Sequence, residues 1–317
     1  MKRGFAEGVA AVLVSVVLWG SQLPVAKDVF QVIDPFQVTA IRFGIGALFL
    51  AAYCAWREGA RALQYYGRFR PAAAVGVLGM CVSPMLMFVG VSLSSPEHAA
   101  IIIALQPSMT ALADWALRGR RPANFTIGCV VFAFCGVLVV VTKGDPALLL
   151  DRATLAGDLA MLAGAISWVA FTLAIEKFKG WSALRFTTLT LVPGALAAFA
   201  VTAVLVAAGI SRMPHAADIA SVGWQLAYLS LGGVVIALLC WNAGNHRIGA
   251  LNSMLLINFL PIVTFSVRFA QGYRFEAIEL AGALLVIGSL IANNLYLRRV
   301  SSRPRLRRVP EDHGGRG

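Results

Sequence analysis

Three ionisable side chains, Arg42, Asp114 and Arg268, fall inside long apolar runs of this 317-residue sequence. A charge within a bilayer costs about 2.5 to 3.5 kcal/mol even on the milder insertion scales, so each is a candidate for gating, for relaying a proton or for holding a charged ligand. Asp114 has Arg118 one turn further along the same helix face and can pair with it. Arg268 stands near the outer end of its run. Arg42 lies beyond the assured reach of the interface. It is expected to face the interior of a helix bundle, either anchoring a substrate carboxylate or pairing with Asp34 or Glu279 as an outer gate.

The uncharged candidates form a second set. Trp56, Trp115, Trp181, Trp224 and Trp241 lie near the ends of apolar runs, where the headgroup region suits an indole. Trp19 and Trp168 fall near the middle of theirs. An indole N–H at that depth needs a carbonyl partner or a wet cavity, so the two are either packing aromatics or the walls of a central binding chamber. Gln22, Ser83, Gln106, Thr172 and Asn258 lie at similar depth and either orient a ligand or bond between helices. Pro107 and Pro261 each withhold a backbone N–H inside a run, which makes them candidate hinges. The reading expects substrate contacts from Trp19, Gln22, Gln106, Trp168, Thr172 and Asn258.

Other chemistries find little support. His98, His215, His246 and His313 are read as scattered over loops and the tail, without ligand spacing. HExxH, GxSxG, Walker-A and GxGxxG patterns do not occur. No enzyme activity, metal or cofactor is expected. The five cysteines all sit in apolar runs and are expected to be buried packing residues.

Helices must position these residues, and composition says in what solvent. The chain is 59% hydrophobic and 13% charged, with a mean hydropathy of +0.76. Soluble domains run at roughly 45 to 50% and 25%, so the expected partner is a lipid bilayer. The net charge of +12 does not signify nucleic acid, because too little polar surface remains to track phosphates. Ten runs are long enough to cross: Gly8 to Val25, Phe36 to Trp56, Ala72 to Leu93, Glu97 to Leu117, Phe125 to Val141, Gly157 to Ile175, Leu184 to Gly209, Gly223 to Ala243, Gly249 to Ala270 and Ile278 to Leu297. Ser95-Pro96-Glu97 carries the signals that start a helix and separates the third run from the fourth. Ten crossings put both termini on one side, which collects twenty Lys and Arg residues against six on the other, with Arg42 set aside. Positive charge stays in the cytoplasm, so both ends are expected there and the first run is expected not to be a cleaved signal. The basic segment 301–317 reads as a solvated tail beside anionic lipid.

The halves also match each other. Trp19 and Trp168 are 149 residues apart, and Pro107 and Pro261 are 154 apart, a frame that also sets Asp114 on Arg268 and Gly128 on Gly282. An odd number of crossings in each half would turn one upside down relative to the other, the arrangement of alternating-access carriers. The expected fold is all-α and polytopic, with residues 1–145 and 146–300 as two inverted five-helix repeats.

The run Trp19-Gly20-Ser21 with Lys27 beyond it, Arg42, the segment Gly249-Ala250-Leu251-Asn252-Ser253 leading to Pro261, and the Gly272 turn together resemble the EamA family of the drug/metabolite transporter superfamily. The resemblance covers about Gly8 to Leu297 and implies an inner-membrane carrier of small metabolites, commonly an exporter, without a bound cofactor. A departure lies in the turns that read Gly-Glu-Arg in the family; here they are Gly119-Arg120-Arg121 and Gly272-Tyr273-Arg274. The absence of a midplane carboxylate counts against a proton-coupled pump and against permanently cationic cargo. Small amphipathic solutes, amino acids foremost, suit the expected chamber, and a monomer would suffice. A membrane-embedded sensor without net flux is the competing reading.

Overall fold

The computed structural model describes residues 2–119, 121–145, 151–178, 180–248, 253 and 256–301. Among them the regular structure is all helical, as the composition demands: in hydrocarbon a helix satisfies its own N–H and C=O groups. The helices are α1 (Lys2–Val29), α2 (Pro35–Glu58), α3 (Phe69–Leu93), α4 (Pro96–Ala104), α5 (Gln106–Arg118), α6 (Asn124–Thr142), α7 (Arg152–Ala174), α8 (Ala183–Ala207), α9 (Gly223–Asn245), α10 (Leu260–Ala270) and α11 (Ala277–Ser301). Seven of these, α1, α2, α3, α6, α7, α8 and α9, are long and apolar enough to cross a membrane.

Local signals set the starts. Asp34 accepts from the Phe36 and Gln37 N–H groups to cap α2, and Ser95 accepts from His98 to cap α4, as the Ser-Pro-Glu run predicts. The fourth run is not one straight helix. It breaks at Leu105 (φ −74°, ψ −13°), where the N–H tightens back onto Ile102, and α5 restarts with Pro107 as its second residue. The ring of Pro107 has no N–H to give and crowds the preceding turn, which explains the break. Phe259 (φ −79°, ψ −11°) does the same before α10, with Pro261 second in that helix. Residues 249–252, 254 and 255, which begin the expected ninth run, lie outside the described residues, as does the tail 302–317.

The run patterns did not foretell two wide-wound stretches, Leu78–Val82 in α3 and Tyr228–Ile236 in α9, where the backbone winds as a π-helix. Such winding leaves carbonyls without their usual helical partner.

Helices meet closely where side chains are small. Gly8 faces Gly244 across α1 and α9, and Gly90 faces Gly157 across α3 and α7; a Cβ at Gly90 would come 2.6 Å from the Gly157 carbonyl oxygen. Serines bond across the same two interfaces: Ser15 Oγ donates to the Ala237 carbonyl and Ser83 Oγ to that of Gly164, each at 2.8 Å. The core between them is built from Val12, Val16, Leu23, Ile101, Met161, Leu260 and Leu290, all below 3% exposed.

Candidate functional site

A cavity of about 100 Å³ sits where α1, α2, α3, α7 and α9 converge on the Leu105 break. Of the six residues expected to contact substrate, Trp19, Gln22, Gln106 and Trp168 line it, joined by Arg42 and Ser83. Thr172 does not; its hydroxyl donates back to the Trp168 carbonyl at 2.9 Å, one turn earlier in α7. Nor does Asn258, although Ile257 and Leu260 on either side of it do. Asn258 is buried with neither end of its amide hydrogen-bonded.

The unwound part of α9 positions the first wall. Trp19 Nε1 donates to the Gly233 carbonyl at 3.0 Å, and Gly233 lies inside the wide-wound stretch. The N–H of Ala237, which in a regular helix would take that oxygen, points to Gly232 and Val234 instead. Trp19 and Trp168 meet edge to face with centroids 6.2 Å apart, and Trp19 also packs on Trp241 at 5.2 Å. Trp241 is therefore a core residue, 7% exposed, and not the interfacial tryptophan its place near a run end suggests. Trp56 and Trp224 do face outward.

Arg42 faces inward as expected but makes neither of the expected ion pairs. Asp34 is occupied by its capping bonds and by Ser211 Oγ, and Glu279 binds Lys143 and Tyr273. The Arg42 guanidinium instead lies over the Phe88 ring at 4.0 Å and that of Phe43 at 4.7 Å, and Nη1 donates to Gln22 Oε1 at 2.9 Å. Its Nε has no partner, and the residue is 4% exposed. Both features follow from its depth: α2 carries it too far in for Asp34, while the aromatic faces and one amide oxygen are what the neighbouring helices offer.

Arg268 belongs to a separate polar layer, at the end of the bundle where α1, α3 and α10 finish and α4, α7 and α11 begin. It pairs with the buried Glu97 at 2.5 Å and lies against Tyr273. In the same layer Lys27 Nζ donates to the carbonyls of Val91, Ser92 and Ser94, closing the end of α3. Tyr273 takes the place of the family's turn glutamate and bridges Lys143 Nζ and Glu279 Oε1, each at 2.9 Å. Burial pushes the Tyr273 hydroxyl above its usual range. His98, read as a loop residue, is in the first turn of α4, buried, with Nδ1 3.0 Å from Asp158 Oδ1; Ser94 Oγ donates to the same oxygen at 2.7 Å. In the sequence reading Lys27, Glu97 and His98 have no site role, and Asp158 is not singled out. The signal is their position: Lys27 follows the close of the first run, and the other three open the fourth and sixth, where polar side chains can meet across helices. The side chain of Asp114 lies outside the described residues, and with it the expected pairing to Arg118.

Pro107 and Pro261 each follow a helix break, and the Pro107 break adjoins the cavity through Gln106. The cysteines divide: Cys54, Cys81 and Cys129 are buried as expected, Cys240 is partly so, and Cys135 is exposed on α6, a helix apolar enough to put that face in lipid.

Comparison with known proteins adds a family to this geometry. The sequence profile of the EamA-like transporter family matches twice, over residues 6–142 and 155–295. Two relatives from Bacillus subtilis (strain 168), both described as uncharacterized transporters, are similar along most of their length. YrdR is 31% identical over 304 residues, covering 94% of this chain and 95% of its own, and YyaM is 30% identical over 280 residues, covering 87% and 90%. A crystal structure at 20% identity superposes with a TM-score of 0.67, over 94% of this chain and 99% of the other, so the fold is shared.

Proposed function

Because the chain belongs to the EamA-like transporter family, a group of multi-pass membrane transporters and not enzymes, we propose that it carries small amphipathic metabolites, amino acids and their relatives, outward across the inner membrane by alternating access. On this reading α4 with α5 makes one crossing, α10 with the segment before it another, and the ten crossings form two inverted five-helix halves with both termini in the cytoplasm. Support comes from positions that repeat at the sequence offsets. The breaks at Leu105 and Phe259 are 154 residues apart, the wide-wound stretches overlap at the same spacing, and the serine bonds Ser15 to Ala237 and Ser83 to Gly164 exchange places under the two offsets. The two profile matches divide the chain in the same way.

The single observation that carries the function is the cavity itself. Its walls, Trp19 from one half and Trp168 from the other, come from equivalent positions, so a solute resting against the pair touches both halves at once. A site shared in this way can face either side as the halves rock. At about 100 Å³ it lies below the roughly 300 to 1,000 Å³ of drug-sized sites, which favours compact cargo. Gln22, Gln106, Trp19 and Trp168 would hold the solute, while Pro107 and Pro261 would let the broken crossings bend. The polar layer of Arg268, Glu97 and Lys27 would seal the outer mouth.

Counterflow in proteoliposomes with a panel of amino acids, organic acids, sugars and nucleosides tests this reading. Exchange of at least one compound, weakened by Trp19→Leu and Trp168→Leu, is the expected result. No flux of any compound would point to a sensor, and persistence of flux and affinity in both variants would remove the cavity from the mechanism.

A further inference from the structure

Arg42 is the one charged residue lining the cavity, and no carboxylate lines it among the described residues. A guanidinium keeps its charge at any depth, and buried charges are stable when paired. Around Arg42 the protein supplies two aromatic faces and the Gln22 amide oxygen, and leaves Nε unsatisfied. Most of the remaining lining is apolar or aromatic, Met80, Met87, Trp168 and Leu238 among it, with Ser83 and Gln106 as the other polar side chains.

We infer that the cavity is a site for a compact apolar monocarboxylate, whose anionic group docks on the Arg42 guanidinium beside Gln22 while its hydrocarbon body lies against Trp19 and Trp168. The inference rests on the transport reading and, within small amphipathic metabolites, moves the cargo from amino acids to their deaminated relatives. A zwitterionic amino acid would bring an ammonium group into a chamber that offers it no anion, whereas the same skeleton without the amine meets one cation and an apolar wall. A carboxylate also presents two oxygens to the planar donor edge of a guanidinium, which a neutral amide cannot match. Gln22 Oε1 accepts from one of those donors, which a docked carboxylate would take over.

The full-length protein in lipid nanodiscs, titrated calorimetrically with 4-methylpentanoate, 4-methylpentanamide and leucine, tests this directly, because the three share one branched skeleton. The acid is expected to bind at least about tenfold more tightly than either of the others. Arg42→Gln should erase that preference. Because an Arg42 variant can fail to fold, Gln22→Glu provides a second route: the new carboxylate pairs with the guanidinium and competes with the ligand, so acid binding should fall while the buried guanidinium keeps a partner. Equal binding of acid and amide, tighter binding of leucine, no binding of any of the three, or a preference that survives both substitutions would each overturn the inference. Transport separates the two readings. Counterflow of a neutral solute indifferent to Arg42→Gln would keep the carrier and discard the carboxylate site. Arg42-dependent acid binding without flux of any compound would do the reverse.

Discussion

Replacing Trp19 by Phe removes one hydrogen bond and trims the ring, and a matched control separates the two costs. The indole N–H satisfies the Gly233 carbonyl, an oxygen that the π-wound part of α9 has released from its helical partner. Without it the carbonyl is left in an apolar interior, at a cost of about 1 to 3 kcal/mol. Hydrogen bonds between membrane helices are worth less, about 0.6 kcal/mol on average with a maximum near 1.7, so about 0.6 to 1.7 kcal/mol is the expected range. The smaller ring also loosens its contacts with Trp168 and Trp241, each aromatic pair being worth roughly 0.5 to 1.5 kcal/mol when intact. Trp168→Phe is the built-in control. Trp168 shares the ring contact with Trp19 and adds one with Phe171, but among the described residues its indole N–H bonds to no protein group. Reversible unfolding in mixed micelles should therefore find Trp19→Phe less stable than Trp168→Phe by about 0.6 to 1.7 kcal/mol, a factor of roughly 3 to 18 in the unfolding equilibrium. Equal losses, or a larger loss at Trp168, would show that the Gly233 carbonyl is satisfied some other way and that the unwound stretch does not position the wall.

Gly233→Ala would place a Cβ 2.5 Å from Gln22 Oε1, the free end of a side chain that can swing aside. It should leave thermal stability within about 1 kcal/mol of the parent while shifting ligand affinity, since Gln22 can no longer hold Arg42 in place; unchanged affinity by calorimetry would contradict this. Gly76→Ala is the opposite case, because its Cβ would overlap the Thr190 carbonyl oxygen, which is backbone and cannot turn away. It should force α3 off α8 and cost about 1 to 3 kcal/mol or more in micelle unfolding, and a stable variant would mean the two helices are further apart. Glu97→Gln strands Arg268 in the sealed layer. Breaking a buried pair costs about 3 to 5 kcal/mol, and with the Arg268 side chain 22% exposed the loss should be nearer about 1 to 3. Adding Arg268→Gln should recover part of it, and a double-mutant cycle with no coupling would refute the pairing.

The apolar runs were legible because hydrocarbon imposes one requirement on every residue of a crossing, and ten residue-type tests in a row rarely agree by accident. The break in the fourth run at Leu105 was half legible: Pro107 announced a perturbed helix, but whether a proline bends a helix or splits it depends on what packs beside the freed carbonyl. The wide-wound stretches carry no proline and no distinctive composition. Leu78–Val82 and Tyr228–Ile236 read as ordinary apolar helix, and their winding is set by the helices they pack against. That is why Trp19 could be placed at the right depth without its partner, and why Trp241, judged by its distance from a run end, was assigned to the interface when it closes the floor under Trp19. Charge pairing was misjudged for a related reason. Arg42 was matched with acids of an outer gate, although it lies too deep for Asp34, and Asp34 and Glu279 already have nearer partners; Lys27, Glu97 and Arg268 form a layer only once helices distant in sequence are brought side by side. The departures from regular helix and the unpaired charge fall at the same place, around the cavity. Of the buried side-chain atoms left without a partner among the described residues, Arg42 Nε is the one whose residue lines the cavity, where a group arriving from outside can meet it.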